Sequence, residues 1–164
     1  MKMSPVVLAA ILAFGPMTLC GAPTPKDTKA DAVKADLSKL EGTWRVISYQ
    51  KDGVERDSDE IAAMDTVTFK ARDYTWGDDE TPSGSIDDID PTQTPKRITY
   101  KSRQVEEDEK AMRKEYGIYL LTGDVFIDCF ATSEKERPTE FVSKPKSGIT
   151  LVVYKRVKKK GIMN

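Results

Sequence analysis

The chain has 164 residues, a length that suits one domain, and its 32% charged and 38% hydrophobic residues are typical of a polar globular protein rather than a membrane bundle. The 26 basic and 27 acidic residues give a net charge of -1, so overall charge gives no attraction to nucleic acid. The sequence contains no histidine, which excludes the commonest general base, the usual nitrogen ligand of metals and any nucleophile that histidine activates.

The first 22 residues have the order of parts found in a secretory signal peptide. Lys2 precedes an apolar run at residues 6–14, and the small residues Gly21 and Ala22 follow. This order predicts a signal peptide over residues 1–22 that is cleaved after Gly21 or Ala22. The protein is therefore expected to be exported, to the periplasm or the extracellular space.

Two alternatives to cleavage stay open at the N-terminus. An uncleaved membrane anchor is one, although prolines and a glycine interrupt the apolar stretch. Lipid attachment at Cys20 is the other, although Leu19 stands where a bacterial lipobox has a small residue. Cleavage would leave Cys129 as the one cysteine of the mature chain, which then has no internal disulfide.

The mature chain is predicted to begin with a tether that leads into a helix, over residues 23–35. Apolar residues recur at steps of three and four from Thr28 to Leu40, which predicts an N-terminal helix that Gly42 ends. A second, short helix is predicted after Asp57, where Glu60 completes a capping box.

After the first helix the apolar period changes to two, which is the period of a strand. In the first run, Trp44, Val46 and Ser48 are predicted to face one way, and Arg45, Ile47 and Tyr49 the other. About eight short alternating runs follow one another, separated by turn residues. Residues 102–115 are heavily charged and fit either a solvated helix or a long hairpin arm.

This pattern predicts an all-β fold, an antiparallel up-and-down barrel of about eight strands with a short N-terminal helix. The barrel domain is predicted at residues 36–156, followed by a basic tail at 157–164. The side chains predicted to point into the barrel are Val67, Phe69, Tyr74, Trp76, Ile98, Tyr100, Val125, Ile127, Cys129, Leu151 and Val153.

Several short motifs follow one another in the order seen in a known family. The segment Leu40-Glu41-Gly42-Thr43-Trp44 resembles the Gly-x-Trp start of lipocalin-type barrels, in which the tryptophan plugs the closed end under an N-terminal helix. The later motifs are Gly117-Ile118-Tyr119, Gly123-Asp124, Cys129-Phe130-Ala131 and Arg137-Pro138-Thr139-Glu140-Phe141. Together they resemble a small lipocalin-like family of unknown function that is abundant in planctomycete bacteria.

The resemblance covers residues 36–156 and implies an exported lipocalin-like domain without assigned activity or catalytic residues. The charged insertion at 105–115 departs from the family's pattern. The favoured hypothesis is a binding module that holds a small apolar ligand inside the barrel. The candidate ligand-binding residues are Trp44, Phe69, Trp76, Tyr100, Ile127 and Leu151.

The alternative hypothesis is a non-catalytic structural or interaction domain of the envelope with a filled barrel, contacting an envelope or cell-wall partner through its tail or its charged segment. A second candidate site is the loop at Arg137 and Glu140, where an arginine beside carboxylates can bind an anion. We expect no enzyme activity, no cofactor and no nucleic-acid partner. No metal is expected either, because the acidic cluster at 78–90 has the spacing of no calcium loop.

Overall fold

The computed structural model describes residues 25–103, 112–132 and 135–158. The predicted signal peptide at 1–22, Cys20 and most of the basic tail lie outside these residues, so the predictions made for them stay predictions. Within the described residues, no helix is both long enough and apolar enough to cross a membrane.

The described part of the chain forms two helices and nine strands. The helices are α1 (Pro25–Leu40) and α2 (Ser58–Ala62). The strands are β1 (Gly42–Lys51), β2 (Val54–Glu55), β3 (Val67–Lys70), β4 (Asp73–Trp76), β5 (Gly84–Asp90), β6 (Lys96–Arg103), β7 (Met112–Thr122), β8 (Val125–Thr132) and β9 (Ile149–Arg156). Asp57 caps α2 and forms the predicted capping box with Glu60.

The fold is the predicted antiparallel up-and-down barrel. The strands β1 and β3 to β9 pair in sequence order, and β1 also pairs with β9, which closes a barrel of eight strands. The short β2 pairs with the last two residues of β1 in a hairpin and is not counted among the eight strands of the barrel. The charged segment continues β6 as far as Arg103 and begins β7 at Met112, so its described ends are the arms of a hairpin rather than a helix.

The helix α1 covers one end of the barrel, and Trp44 lies beneath it. Trp44 is fully buried, its indole Nε1 donates to the carbonyl of Leu40 at 2.8 Å, and its ring centroid lies 5.8 Å from that of Phe126. The guanidinium of Arg156 stacks over the indole at 4.1 Å and donates to the carbonyls of Lys39 and Glu41 at the end of the helix. The end of the barrel under α1 is therefore closed by an aromatic plug, a stacked cation and a helix end.

A buried carboxylate joins the same helix to the barrel wall. Asp36 of α1 accepts hydrogen bonds from Lys96 Nζ at 2.6 Å and from the Tyr119 hydroxyl at 2.9 Å. Burial opposes ionisation of Asp36, but these hydrogen bonds outweigh it and lower the pKa of the carboxyl. A salt bridge of 2.7 Å between Lys29 and Asp90 adds a contact of α1 with β5.

Two β-bulges interrupt the alternation of the strands, and the one in β1 corrects the predicted strand face. In β1 the register with β9 shifts between Val46 and Ser48, which brings Tyr49 rather than Ser48 to the interior face. In β5 a similar shift between Ile86 and Asp88 lets both Ile86 and Ile89 enter the core. An extra residue in one strand reverses the alternation beyond it, so a strict period of two fails at these positions.

The predicted interior faces of β8 and β9 are wrong. Phe126, Val152 and Tyr154 belong to the core of the barrel, so their neighbours in the strand point to the outer face. The residues corrected in this way are Val125, Ile127, Cys129, Leu151 and Val153. The predicted interior orientations of Val67, Phe69, Tyr74, Trp76, Ile98 and Tyr100 are confirmed.

The physical reason for this error is a loop that covers part of the barrel wall from outside. Cys129 and Ala131 of β8 and Ile118 of β7 are buried although they lie on the outer face. The buried Pro138 and Ser143 belong to the segment between β8 and β9, and Cys129 Sγ lies 3.6 Å from the carbonyl of Glu140 in that segment. Apolar residues therefore occur on both faces of β8, and alternation alone does not identify the inner one.

Candidate functional site

The barrel contains a cavity of about 320 Å³ on the side away from α1. Its wall is mainly aromatic and aliphatic, and eight of the lining residues are Tyr49, Val67, Phe69, Tyr74, Trp76, Tyr100, Phe130 and Val152. The volume lies at the lower end of the range typical of small-molecule sites.

Gly84 of β5 shapes one wall of this cavity. It pairs directly with Tyr74 of β4, and a Cβ atom on Gly84 would collide with the hydroxyl of Tyr74 and with the carbonyl of Lys101. The absence of a side chain therefore lets the tyrosine lie against the strand. The Tyr74 ring packs edge-on against Tyr100 with centroids 5.8 Å apart.

The most distinctive polar group of the cavity is the carboxyl of Asp128, in the middle of β8. The side chain is 3% exposed, and its Oδ2 accepts a hydrogen bond of 2.8 Å from the Tyr100 hydroxyl. Its other oxygen, Oδ1, has no hydrogen-bond partner among the residues that the structure describes. A buried acceptor without a partner is costly and uncommon in folded proteins, so this oxygen is a position at which a hydrogen-bond donor would be favourable.

Burial also changes the proton equilibrium of Asp128. Desolvation, with a further contribution from the charge of Glu115, raises the pKa of the Asp128 carboxyl to about 8, although the hydrogen bond from Tyr100 opposes the change. The carboxyl is thus mainly protonated at neutral pH while the cavity is empty. In turn, burial and the charge of Asp128 raise the pKa of Tyr100 well above its usual value.

A second acidic residue, Glu115 of β7, lines the cavity nearer to its mouth. Burial raises the pKa of Glu115, while Ser102, Arg113 and Lys51 favour its charged form. Glu115 pairs with Tyr100 across the strands β7 and β6, so the residue that donates to Asp128 is also the cross-strand neighbour of Glu115. At the rim, the exposed Arg103 and the half-buried Ser83 complete the lining.

The six residues predicted to bind a ligand are only partly brought together. Phe69, Trp76 and Tyr100 line the cavity. Trp44 belongs to the packed core beneath α1 and is not part of the lining. Ile127 and Leu151 lie on the outer face of the barrel, for the reason given above, so their predicted place in the interior is corrected.

The pattern of apolar alternation missed Asp128 and Glu115. Asp128 interrupts the run from Val125 to Phe130, and a single acid within such a run is the signal that could have identified it. Glu115 was hidden because it ends a segment of many charged residues, most of which were expected to be solvated.

The predicted loop site at Arg137 and Glu140 is not assembled as an anion site. Arg137 donates to the carbonyls of Ile98 and Gly117, which face each other across β6 and β7, and to Thr99 Oγ1 at 2.8 Å. Glu140 is exposed and pairs instead with Lys144 at 2.6 Å. The guanidinium of Arg137 is used to fasten the outer loop to the barrel wall.

Arg137→Ala is expected to lower the free energy of unfolding by about 2–3 kcal/mol, because it removes charge-assisted hydrogen bonds from carbonyls under a loop. Chemical denaturation measures the loss. Arg97→Ala is the matched control, because Arg97 is exposed on the same face and should change stability by less than about 0.5 kcal/mol. Equal effects of the two variants would contradict the fastening role.

The acidic cluster at 78–90 is divided among separate contacts. Asp87 bridges Lys101 at 2.5 Å and Lys114 at 3.2 Å, and the hydrogen bond from Lys29 lowers the pKa of Asp90 to about 2. Over the described ranges, no group of three or more acidic or cysteine side chains is placed so that it could hold a metal ion. Burial raises the pKa of the Cys129 thiol to about 11, so it is not a thiolate at neutral pH.

Comparison with known proteins does not add to these observations. No family model, no curated protein and no solved structure matches this chain.

Proposed function

We propose that the protein is an exported, lipocalin-like carrier that holds a small, mainly apolar ligand inside its barrel. The observation that carries this proposal is the aromatic cavity of about 320 Å³ whose lining includes the buried Asp128, with a carboxylate oxygen that has no hydrogen-bond partner among the described residues. Apolar walls with few polar groups are the usual form of a small-molecule site. The alternative of a filled barrel does not explain why this space and this acceptor are left open.

Export and family membership belong to the same proposal. The signal-like order of residues 1–22 supports export, with lipid attachment at Cys20 as the alternative. The Gly-x-Trp segment, whose Trp44 is buried under α1, supports a lipocalin-like origin. A denatured mass of the protein from its own host would distinguish cleavage after Gly21 or Ala22 from an acylated Cys20.

A native mass spectrum of the same preparation tests the carrier function. We expect a species heavier than the denatured chain by a discrete small-molecule increment. The purified protein, stripped of ligand, should also bind 1-octanol with a change in the fluorescence of Trp76, because this indole lines the cavity. Equal native and denatured masses, together with no binding of any apolar probe, would contradict the proposal.

A matched pair of variants locates the binding inside the barrel. Val152→Phe adds a ring within the cavity, and we expect it to weaken 1-octanol binding at least tenfold in isothermal titration calorimetry. Val153→Phe makes the same change on the outer face of the same strand and should leave affinity within about twofold. If the two variants bind alike, the ligand does not occupy the barrel.

A further inference from the structure

The charge distribution of the cavity carries information about the ligand beyond its apolar character. Two acids, Asp128 and Glu115, lie within the lining; Asp128 is buried and Glu115 is half-buried. The groups that act on the Asp128 carboxyl are the Tyr100 hydroxyl, the charge of Glu115 and the backbone N–H of Cys129, and none of these is a cation. The exposed Arg103 is at the rim.

Such a cavity is unfavourable for an anion. A fatty-acid carboxylate placed beside Asp128 would lose its hydration and meet two further acids, because Arg103, the cation of the lining, lies exposed at the rim. A neutral alcohol can hydrogen-bond to the Asp128 carboxyl but does not stabilise its ionised form. A cation can donate to the carboxylate and stabilise its ionised form at the same time, in exchange for the proton that Asp128 holds in the empty cavity.

The aromatic side chains around Asp128 suit the same kind of ligand. Tyr100 contacts the carboxyl directly, and Phe130, Tyr74 and Tyr154 also line the cavity. The Tyr100 ring packs edge-on against both Tyr74 and Phe130, with centroids 5.8 and 6.3 Å apart. The negative faces of such rings attract cations, and desolvation strengthens the attraction.

We propose that the ligand is an amphipathic organic cation, an alkyl or arylalkyl ammonium, whose charged nitrogen donates to Asp128 Oδ1 while its apolar body fills the aromatic cavity. Glu115 contributes negative potential near the mouth. The proposal rests on the carrier function proposed above and specifies the chemical class of its ligand.

Three ligands of equal chain length test this proposal, with calorimetry at pH 7 as the measurement. We expect octylamine to bind at least tenfold more tightly than 1-octanol, and octanoate to bind least. Asp128→Asn should reduce the affinity for octylamine at least tenfold more than it reduces the affinity for 1-octanol. Glu115→Gln should reduce octylamine binding less, in the same direction.

The control is Asp73→Asn, which makes the same chemical change at an exposed position on the outer face of β4. It should leave the affinities for all three ligands unchanged. Binding of 1-octanol to each variant, together with its thermal midpoint, shows that the barrel is still folded, so a loss of octylamine binding alone is specific to the charge.

Proton exchange gives an independent readout. Because the Asp128 carboxyl is protonated in the empty cavity, a bound ammonium ion should displace close to one proton, which calorimetry in two buffers detects. The groups around this carboxyl are Tyr74, Tyr100, Tyr154 and Glu115, with Arg113 and Lys51 beyond Glu115. Asp128→Asn should release no proton at this site.

The outcomes separate the two proposals. If 1-octanol or octanoate binds at least as tightly as octylamine, or if Asp128→Asn keeps the preference for the amine, the ligand is not a cation, although the carrier function stands. If none of the three ligands binds, both the cation and the carrier proposals are wrong.

Discussion

Asp128→Asn is expected to stabilise the protein at pH 7, and the gain should grow as the pH rises from about 4 to about 8. In the folded state the pKa of Asp128 is raised to about 8, whereas an unfolded aspartate titrates near about 3.9. Between these values the unfolded chain carries the ionised carboxylate and the folded chain keeps it protonated. The free energy of unfolding of the native protein therefore falls with pH, by up to about 1.4 kcal/mol for each unit.

The contribution of Asp128 to stability at low and at high pH follows from the same protonation equilibrium. Below about pH 4 the carboxyl is protonated in both states, so its contribution to stability is fully present. As the pH rises through the folded-state value near 8, that contribution is lost. Asparagine does not ionise, so the free energy of unfolding of the variant, relative to that of the native protein, should rise by about 2–4 kcal/mol between pH 4 and pH 7.

Urea denaturation at pH 4.5, 6, 7 and 8 measures this difference, and Asp73→Asn provides the control with an exposed carboxyl. Asp36, Asp87 and Asp90 act in the opposite direction, because folding lowers the pKa of each carboxyl. These carboxylates stabilise the fold at pH values above their unfolded-state pKa, and this stabilisation is lost in acid. They are common to both proteins and cancel in the difference. A difference that stays constant with pH would mean that Asp128 is ionised in the folded protein.

Trp44→Ala is expected to lower the free energy of unfolding by about 3–5 kcal/mol, the usual cost of removing a fully buried aromatic side chain. The variant loses the contact with Phe126, the hydrogen bond to Leu40 and the surface on which Arg156 stacks. It should also loosen α1, because the hydrogen bond of Trp44 reaches the end of that helix. Equilibrium denaturation measures the first effect, and amide exchange in α1 measures the second.

Trp76→Ala is the matched control for this prediction. Trp76 is half-buried at the cavity wall rather than packed in the closed end, so its removal leaves no sealed void and should cost less than half as much. The same variant should weaken ligand binding, which Trp44→Ala should affect only through stability. Equal losses of stability in the two variants would contradict the assignment of Trp44 as the plug of the closed end.

The barrel and its closed end could be predicted because their residues obey simple periods. The steps from Ala30 to Leu40 give the helix, and Val67, Phe69, Ile98 and Tyr100 alternate without interruption. The faces of β8 could not be predicted in this way, since the outer loop buries Cys129 and Ala131 as fully as the core buries Phe126. Burial on two sides removes the contrast on which alternation depends.

The candidate site was predictable in its aromatic part and not in its polar part. Phe69, Trp76 and Tyr100 follow from their strands, but the role of Asp128 depends on a contact with Tyr100, 28 positions earlier in the chain. For Arg137, in contrast, a site was predicted that the structure does not form, because its acidic neighbours in sequence suggested an anion site. Its actual partners, Ile98 and Gly117, are carbonyls brought near by the folding of distant strands.

The pairing of Trp44 with Arg156 places the start of β1 and the end of β9 side by side at the closed end. The helix α1 enters the fold there, and the last described residues leave it there. Attachment to a resin, a vesicle or a fusion partner through either terminus should therefore leave the mouth of the barrel facing outward. A sensor chip carrying the protein by its C-terminus should show the same ligand uptake as the free protein in solution.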